Sequence, residues 1–201
     1  MKDIYVVISA TKSKMGKCIR LLTNNSYNHV SISFDEDLSD MVSFARYYRE
    51  MPFYGGYVHE SIERYNDAEI ILYKITLDDE SYHNVRSEVR KFEENTKDYV
   101  YHTINAFLCP FNKEIYIEHA YTCLSFVLTL LNKTQLKLPR IYSIKEFMKL
   151  IEPFKIYEGS LEEFYLKSDP KYLKNFSKTE IFLKTYSQQR KLLTRLIDKN
   201  V

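Results

Sequence analysis

Tryptophan is absent and glycine is scarce: the 201-residue chain has four glycines, at positions 16, 55, 56 and 159. Their spacing excludes both G-x-G-x-x-G and Walker-type loops, so no nucleotide is expected to bind through either motif. Cysteine occurs three times, an odd number that argues against a disulfide framework. No run approaches the roughly 18 apolar residues of a membrane span. No apolar segment followed by a cleavage site opens the chain. A reduced, cytoplasmic protein is therefore expected. There is no C-x-x-C and no H-E-x-x-H. His119 and Cys123 are four residues apart, with His102 and Cys109 nearby, but His119 precedes the helix that Cys123 opens, so the two share no helical face. Neither a metal nor another cofactor is expected.

What is present is one large domain's worth of core-forming sequence, enough to bury about 70% of the unfolded surface. Net charge is +2, unevenly spread: residues 167–201 hold nine Lys/Arg against three Asp/Glu, which leaves 20 against 24 elsewhere. This shift suggests one domain over 1–166 and a basic helical extension over 167–201. The extension's amphipathic pattern, with Phe182, Tyr186 and Leu193 on one side, suits core packing, self-association or an anionic surface. It specifies no nucleic acid. The 18 tyrosines are scattered and carry no ligand signal on their own.

Along the chain, Ile4–Ile8 reads as a buried strand and 13–24 as a helix with Met15, Cys18, Ile19 and Leu22 in line. In Tyr27–Asp35 the residues Val30, Ile32 and Phe34 face one way, and His29, Ser31 and Ser33 the other. Asp40–Tyr47 follows at hairpin distance. If odd residues of the two strands share a face, Ser43 lies beside His29; the other register puts it opposite. Tyr57–Ser61 after Gly55-Gly56 and Glu69–Ile75 read as further strands. Asp78–Thr96 reads as a helix burying Val85, Val89 and Phe92. Cys109–Asn112 reads as a loop and Phe154–Glu158 as extended. S-x-x-E capping boxes at Ser143, Ser160 and Ser177 each predict a helix start. The class is α+β with a mostly antiparallel sheet packed against helices.

The most informative stretch is Ala120–Asn132. Thr122 is an N-cap for a helix that opens at Cys123, and Phe126, Val127, Leu130 and Leu131 continue the cysteine's face. The thiol should thus point inward at the positive end of a helix, where a thiolate is favoured. A cysteine there and an imidazole on the non-apolar face of a strand form a nucleophile and base when the fold brings them together.

The ordered set H-V-S-I-S-F-D, M-V-S-F-A-R, Gly-Gly-Tyr-Val, Tyr99-x-Tyr101 and T-C-L-S-F-V resembles the circularly permuted NlpC/papain-like thiol hydrolases, the YiiX-like group of bacterial proteins, over about residues 4 to 166. The resemblance implies a permuted papain-like fold in which the histidine strand precedes the cysteine helix. It also implies cleavage of an amide or ester, in a peptide or lipid, through a thioester. Cys123 would be the nucleophile and His29 the base. The orienting group would be Ser43, where relatives often carry histidine or a carboxylate, with His59 as the alternative. Thr11, Tyr99 and Tyr101 fall at substrate-side positions and are candidates for a second oxyanion donor. A different class is a non-catalytic papain-like scaffold that acts through its basic C-terminal helix.

Overall fold

The computed structural model describes residues 1–11, 26–65, 68–111, 113–136, 138–161, 164 and 168–198. The helix predicted over 13–24, with Cys18, lies outside them, as does most of 161–167, where the helix predicted from Ser160 would begin.

Eight strands and five α-helices are described, in an α+β arrangement. The strands are β1 Lys2–Ser9, β2 His29–Ser33, β3 Met41–Arg46, β4 Gly55–His59, β5 Glu69–Leu77, β6 Val100–Tyr101, β7 Ala120–Tyr121 and β8 Lys155–Ser160. The helices are α1 Asp79–Glu94, α2 Thr103–Leu108, α3 Cys123–Leu131, α4 Ile144–Ile151 and α5 Lys178–Asp198. Six strands form one sheet in the order β4-β3-β2-β1-β5-β8, each pairing antiparallel with its neighbours. β6 and β7 form a separate two-residue parallel pair.

The strand period of two separates the chemistry of the two faces. Ile4, Val6 and Ile8 of β1 and Val30 and Ile32 of β2, with Val42 and Phe44, are fully or almost fully buried and meet Val85, Val89 and Phe92 of α1, Phe126, Val127 and Leu130 of α3, and Phe147 of α4. Phe126 is the hub of this core, with its ring 5.1 Å from both Phe44 and Phe92. The opposite face carries a smaller cluster of Tyr5, Val7, Leu38, Met41, Tyr65 and Leu72. Ile32 pairs with Val42, which puts the odd residues of β2 and β3 on one face. Ser43 pairs with Val58, and Glu60 N donates to Met41 O at 2.8 Å. Ser31, Ser43 and Glu60 consequently share that face, and His59 points the other way.

Gly55 is required by close approach: a Cβ there would lie 2.3 Å from Ala45 O and 2.7 Å from Arg46 Cα. The same glycine receives the C-terminal helix. Gly55 N donates to Gln188 Oε1 at 2.6 Å and Gln188 Nε2 donates to Gly55 O at 2.6 Å. Leu192 is fully buried beside Val100, Ile117 and Ala120. The segment set apart by charge is therefore fastened to the rest along its described length. Ser177 and Glu180 form the expected capping box at its start. Phe182, Leu183, Tyr186, Leu193 and Ile197 remain exposed. Among the described residues no helix is long and apolar enough to cross a membrane.

Candidate active site

α3 begins where its sequence says it should. Thr122 is extended, its Oγ1 accepts from Ser125 N at 3.1 Å, and Ser125 Oγ accepts from Thr122 N at 2.9 Å. This reciprocal cap fixes the first turn, leaves early helix N–H groups unpaired, and sets Cys123, 7% exposed, at the helix end that faces β2.

His29 is the first residue of β2, and the Cys123 side chain lies close enough to its ring to favour the imidazolium. Its Nε2 lies 2.7 Å from Glu60 Oε1. A carboxylate only accepts, so Nε2 carries a proton and Nδ1 is the nitrogen left for the thiol. Glu60 follows β4, and its side chain is 1% exposed. Ser43 Oγ donates to Glu60 Oε1 in a short hydrogen bond, and Ser31 Oγ donates to the same oxygen at 3.2 Å. Ser43 Oγ also lies 3.4 Å from His29 Nε2. Ser31 in turn meets the Tyr65 hydroxyl at 2.9 Å. Arg64 Nε stands 3.3 Å from Glu60 Oε2, within ion-pair distance but not aligned for a hydrogen bond.

These contacts decide the charges. Burial disfavours imidazolium, yet the adjacent Glu60 carboxylate, the nearby Cys123 side chain and the hydrogen bond to Glu60 outweigh it, raising the His29 pKa from 6.5 to about 10. Burial likewise penalises the Glu60 carboxylate, but His29, Arg64 and Ser43 overcome the penalty and lower its pKa to about 2. The imidazole is thus held as a cation, pinned on one side by a carboxylate and open to sulfur on the other.

Two cavities, of about 90 and 80 Å³, flank the pair. The first is lined by His29, Glu60, Arg46 and Arg64 with Phe53 and Phe107; the second by Cys123, Leu124, Leu128, Ile141 and Ile144. Asn28, Tyr101 and Ala106 line both and join them into one cleft. Cys109 lines the second cavity and donates to Tyr142 O at 3.1 Å; burial, then the nearby Cys123, pushes its thiol up to about 11.

The residues anticipated from sequence are distributed unequally. Cys123, His29 and Ser43 come together. Glu60, the principal partner of His29, was not anticipated. The alternative orienting group, His59, is corrected: its side chain is 61% exposed and paired with Glu93 at 3.2 Å on the other face. Tyr101 lines the cleft and Thr11 its rim, where Thr11 Oγ1 accepts from Asn28 Nδ2 at 2.7 Å. Tyr99 does not line the cleft. Its ring is 4.5 Å from Phe92 and 5.0 Å from His119, in the aromatic core, so its substrate-side placement is also corrected. His102 is a buried cap: its Nδ1 accepts from Asn105 N at 3.2 Å and its Nε2 donates to Ile115 O at 2.9 Å.

No known family, curated protein or solved structure matches this chain.

Proposed function

We propose that this chain is a thiol hydrolase of circularly permuted papain-like architecture, with Cys123 as nucleophile, His29 as acid and base, and Glu60 as the group that orients and charges His29. The observation that carries the reading is the His29 ring, with the Cys123 side chain beside it and Nε2 held 2.7 Å from the buried Glu60 carboxylate. Hydrogen-bond reach between nucleophile and base, with a third group holding the base, is the geometry nucleophilic catalysis needs. Histidine before cysteine in the chain accords with the permuted order.

In the reaction, the Cys123 sulfur adds to an amide or ester carbonyl carbon. The oxyanion is received by the Cys123 backbone N–H at the helix start. A second donor is the Tyr101 hydroxyl, which lines both cavities and makes no hydrogen bond among the described residues. His29 delivers its proton to the leaving nitrogen or oxygen as the C–N or C–O bond breaks and a thioester remains. It then takes a proton from water as the water attacks. Collapse breaks the C–S bond, releases the carboxylic acid and regenerates the thiolate and the imidazolium. Two free cysteines, Cys109 and Cys123, suit a reducing compartment such as the cytoplasm.

The test is competitive alkylation with iodoacetamide at neutral pH, read by mass mapping. Cys123 should react about tenfold or more faster than Cys109, and His29→Ala should abolish the preference. Equal slow modification of both thiols in the wild-type chain would instead indicate a papain-like scaffold without the chemistry.

A further inference from the structure

The two arms of the cleft differ in chemistry, and the order of bond making assigns each a part of the substrate. His29 must protonate the leaving group, so that group lies on the imidazole side. The acyl carbon is bonded to sulfur, with its oxygen at the start of α3, so the acyl chain extends past Cys123. The arm beyond Cys123 is walled by Leu124, Leu128, Ile141 and Ile144. It offers an acyl group apolar contact over most of its length.

The arm beyond His29 holds two guanidinium groups. Arg64 is committed: besides Glu60 it donates from Nη1 to Arg46 O at 2.6 Å and lies 4.3 Å from the centre of the Tyr172 ring. Glu60 is balanced by His29 and Arg64 together. Arg46 is then the surplus cation. Its Nη1 donates to Arg49 O at 3.3 Å, its guanidinium lies 5.5 Å from the centre of the Tyr172 ring, and among the described residues it has no carboxylate partner. It is half-buried, and its charge is felt by the Tyr101 phenol between the two arms. Beside it, Phe53 and Phe107 stand with ring centres 6.2 Å apart, Phe107 being 45% exposed at the mouth. A half-buried guanidinium without an anion, next to aromatic walls, is a seat for a carboxylate on an apolar body.

Resting on the hydrolase reading, we infer that the substrate is an N-acyl amino acid: an apolar acyl chain in the Cys123 arm, in amide linkage to an amino acid whose apolar side chain meets Phe53 and Phe107 and whose free carboxylate pairs with Arg46. Cleavage breaks the C–N bond, His29 supplies the proton to the departing amine, and water releases the acyl group from sulfur as a carboxylic acid.

The experiment compares N-octanoylphenylalanine with N-octanoylphenylalaninamide, read by octanoate release; the two share the acyl chain and the scissile amide and differ only where a carboxylate replaces a neutral carboxamide. Wild-type kcat/KM should favour the acid by about ten- to a hundredfold, the range of one charge-assisted contact. Arg46→Met should lower kcat/KM for the acid by that factor and for the amide far less, and Arg46→Lys should restore part of the preference. Leu128→Trp, at the other end, should shift preference from octanoyl to acetyl compounds. Equal cleavage of acid and amide by the wild-type chain, or equal loss on both in Arg46→Met, overturns the inference. So does cleavage of neither compound. In that case the Cys123 alkylation test still judges the hydrolase reading separately.

Discussion

At the scale of single residues, the central question is how His29 remains a cation although its side chain is only 13% exposed. Glu60 supplies the answer, and the pH dependence follows from it. A histidine whose folded pKa is raised from 6.5 to about 10 contributes stability that is full below 6.5 and is lost as pH rises through about 10. Glu60, lowered from 4.5 to about 2, contributes stability that is full above 4.5 and is lost as pH falls through about 2. The pair therefore stabilises most between these ordinary values, from 4.5 to 6.5. Denaturant midpoints of the wild-type chain should fall between pH 6.5 and 10, and Glu60→Gln should flatten that slope. Nitrogen NMR should find His29 doubly protonated at pH 8 in the wild-type chain and neutral in Glu60→Gln; a neutral wild-type ring would sink the assignment. Ser43→Ala should be milder than either His29→Ala or Glu60→Gln, because it leaves the carboxylate in contact with the ring. Cys123 and His29 were legible in the sequence because each shows locally, one at a capped helix start and the other on the polar side of an alternating strand. Glu60 was not. Neighbouring strand residues face opposite ways, so choosing between His59 and Glu60 required a register that only the β3–β4 pairing supplies.

At the scale of elements, the sequence is most readable where its period is long and its caps are ordinary. The alternation in β2 and the cap at Thr122 are both present as expected. α2 escaped notice because it has six residues and a buried histidine as its N-cap, neither of which is a strong local signal. The β6–β7 pair escaped for a different reason: it joins two residues to two others across α2 and a long loop, a purely tertiary event. Yet this pair is what carries Tyr101 to the cleft. Tyr101→Phe should lower turnover by about 10²–10³-fold if the phenol receives the oxyanion, while leaving iodoacetamide labelling of Cys123 nearly intact, since alkylation forms no oxyanion. A parallel loss of labelling would mean that the ring only supports the thiol's position. In α3 itself, Thr122→Ala should cost about 1 kcal/mol by chemical denaturation, the value of a lost cap. Phe126→Ala should cost about 3–5 kcal/mol, because its ring is fully buried at the meeting point of Phe44, Phe92 and Tyr57.

At the scale of the whole molecule, charge and packing give different divisions of the chain. The basic surplus begins near residue 167, and composition alone suggests an appendage there. The contacts run otherwise. Glu63 accepts hydrogen bonds from Ser168 Oγ and from Asp169 N, the latter at 2.9 Å, and Arg49 N donates to Tyr172 O at 3.0 Å. Tyr172, 2% exposed, lies against the guanidinium groups of both Arg64 and Arg46. The segment just past the charge boundary thus backs the two arginines that line the site. Farther on, Gln188 satisfies both backbone groups of Gly55, and Gln189 Nε2 donates to Phe53 O at 2.7 Å while its Oε1 accepts from Thr103 Oγ1 at 2.7 Å. One side chain thereby clips the β4 edge to the α2 edge of the cleft. Truncation after Leu166 removes all of these contacts at once. The shortened chain should unfold at markedly lower denaturant concentration, and Cys123 should lose part of its alkylation preference as Arg64 and Glu60 relax. Two point variants separate the causes. Gln188→Ala leaves a buried N–H and C=O of Gly55 unpaired and should destabilise by about 1–3 kcal/mol with little change in thiol labelling. Tyr172→Ala should change labelling more than its stability cost explains, because it uncovers the guanidinium that balances Glu60. A truncated chain with wild-type stability and wild-type Cys123 labelling would show that residues 167–201 are an independent appendage after all.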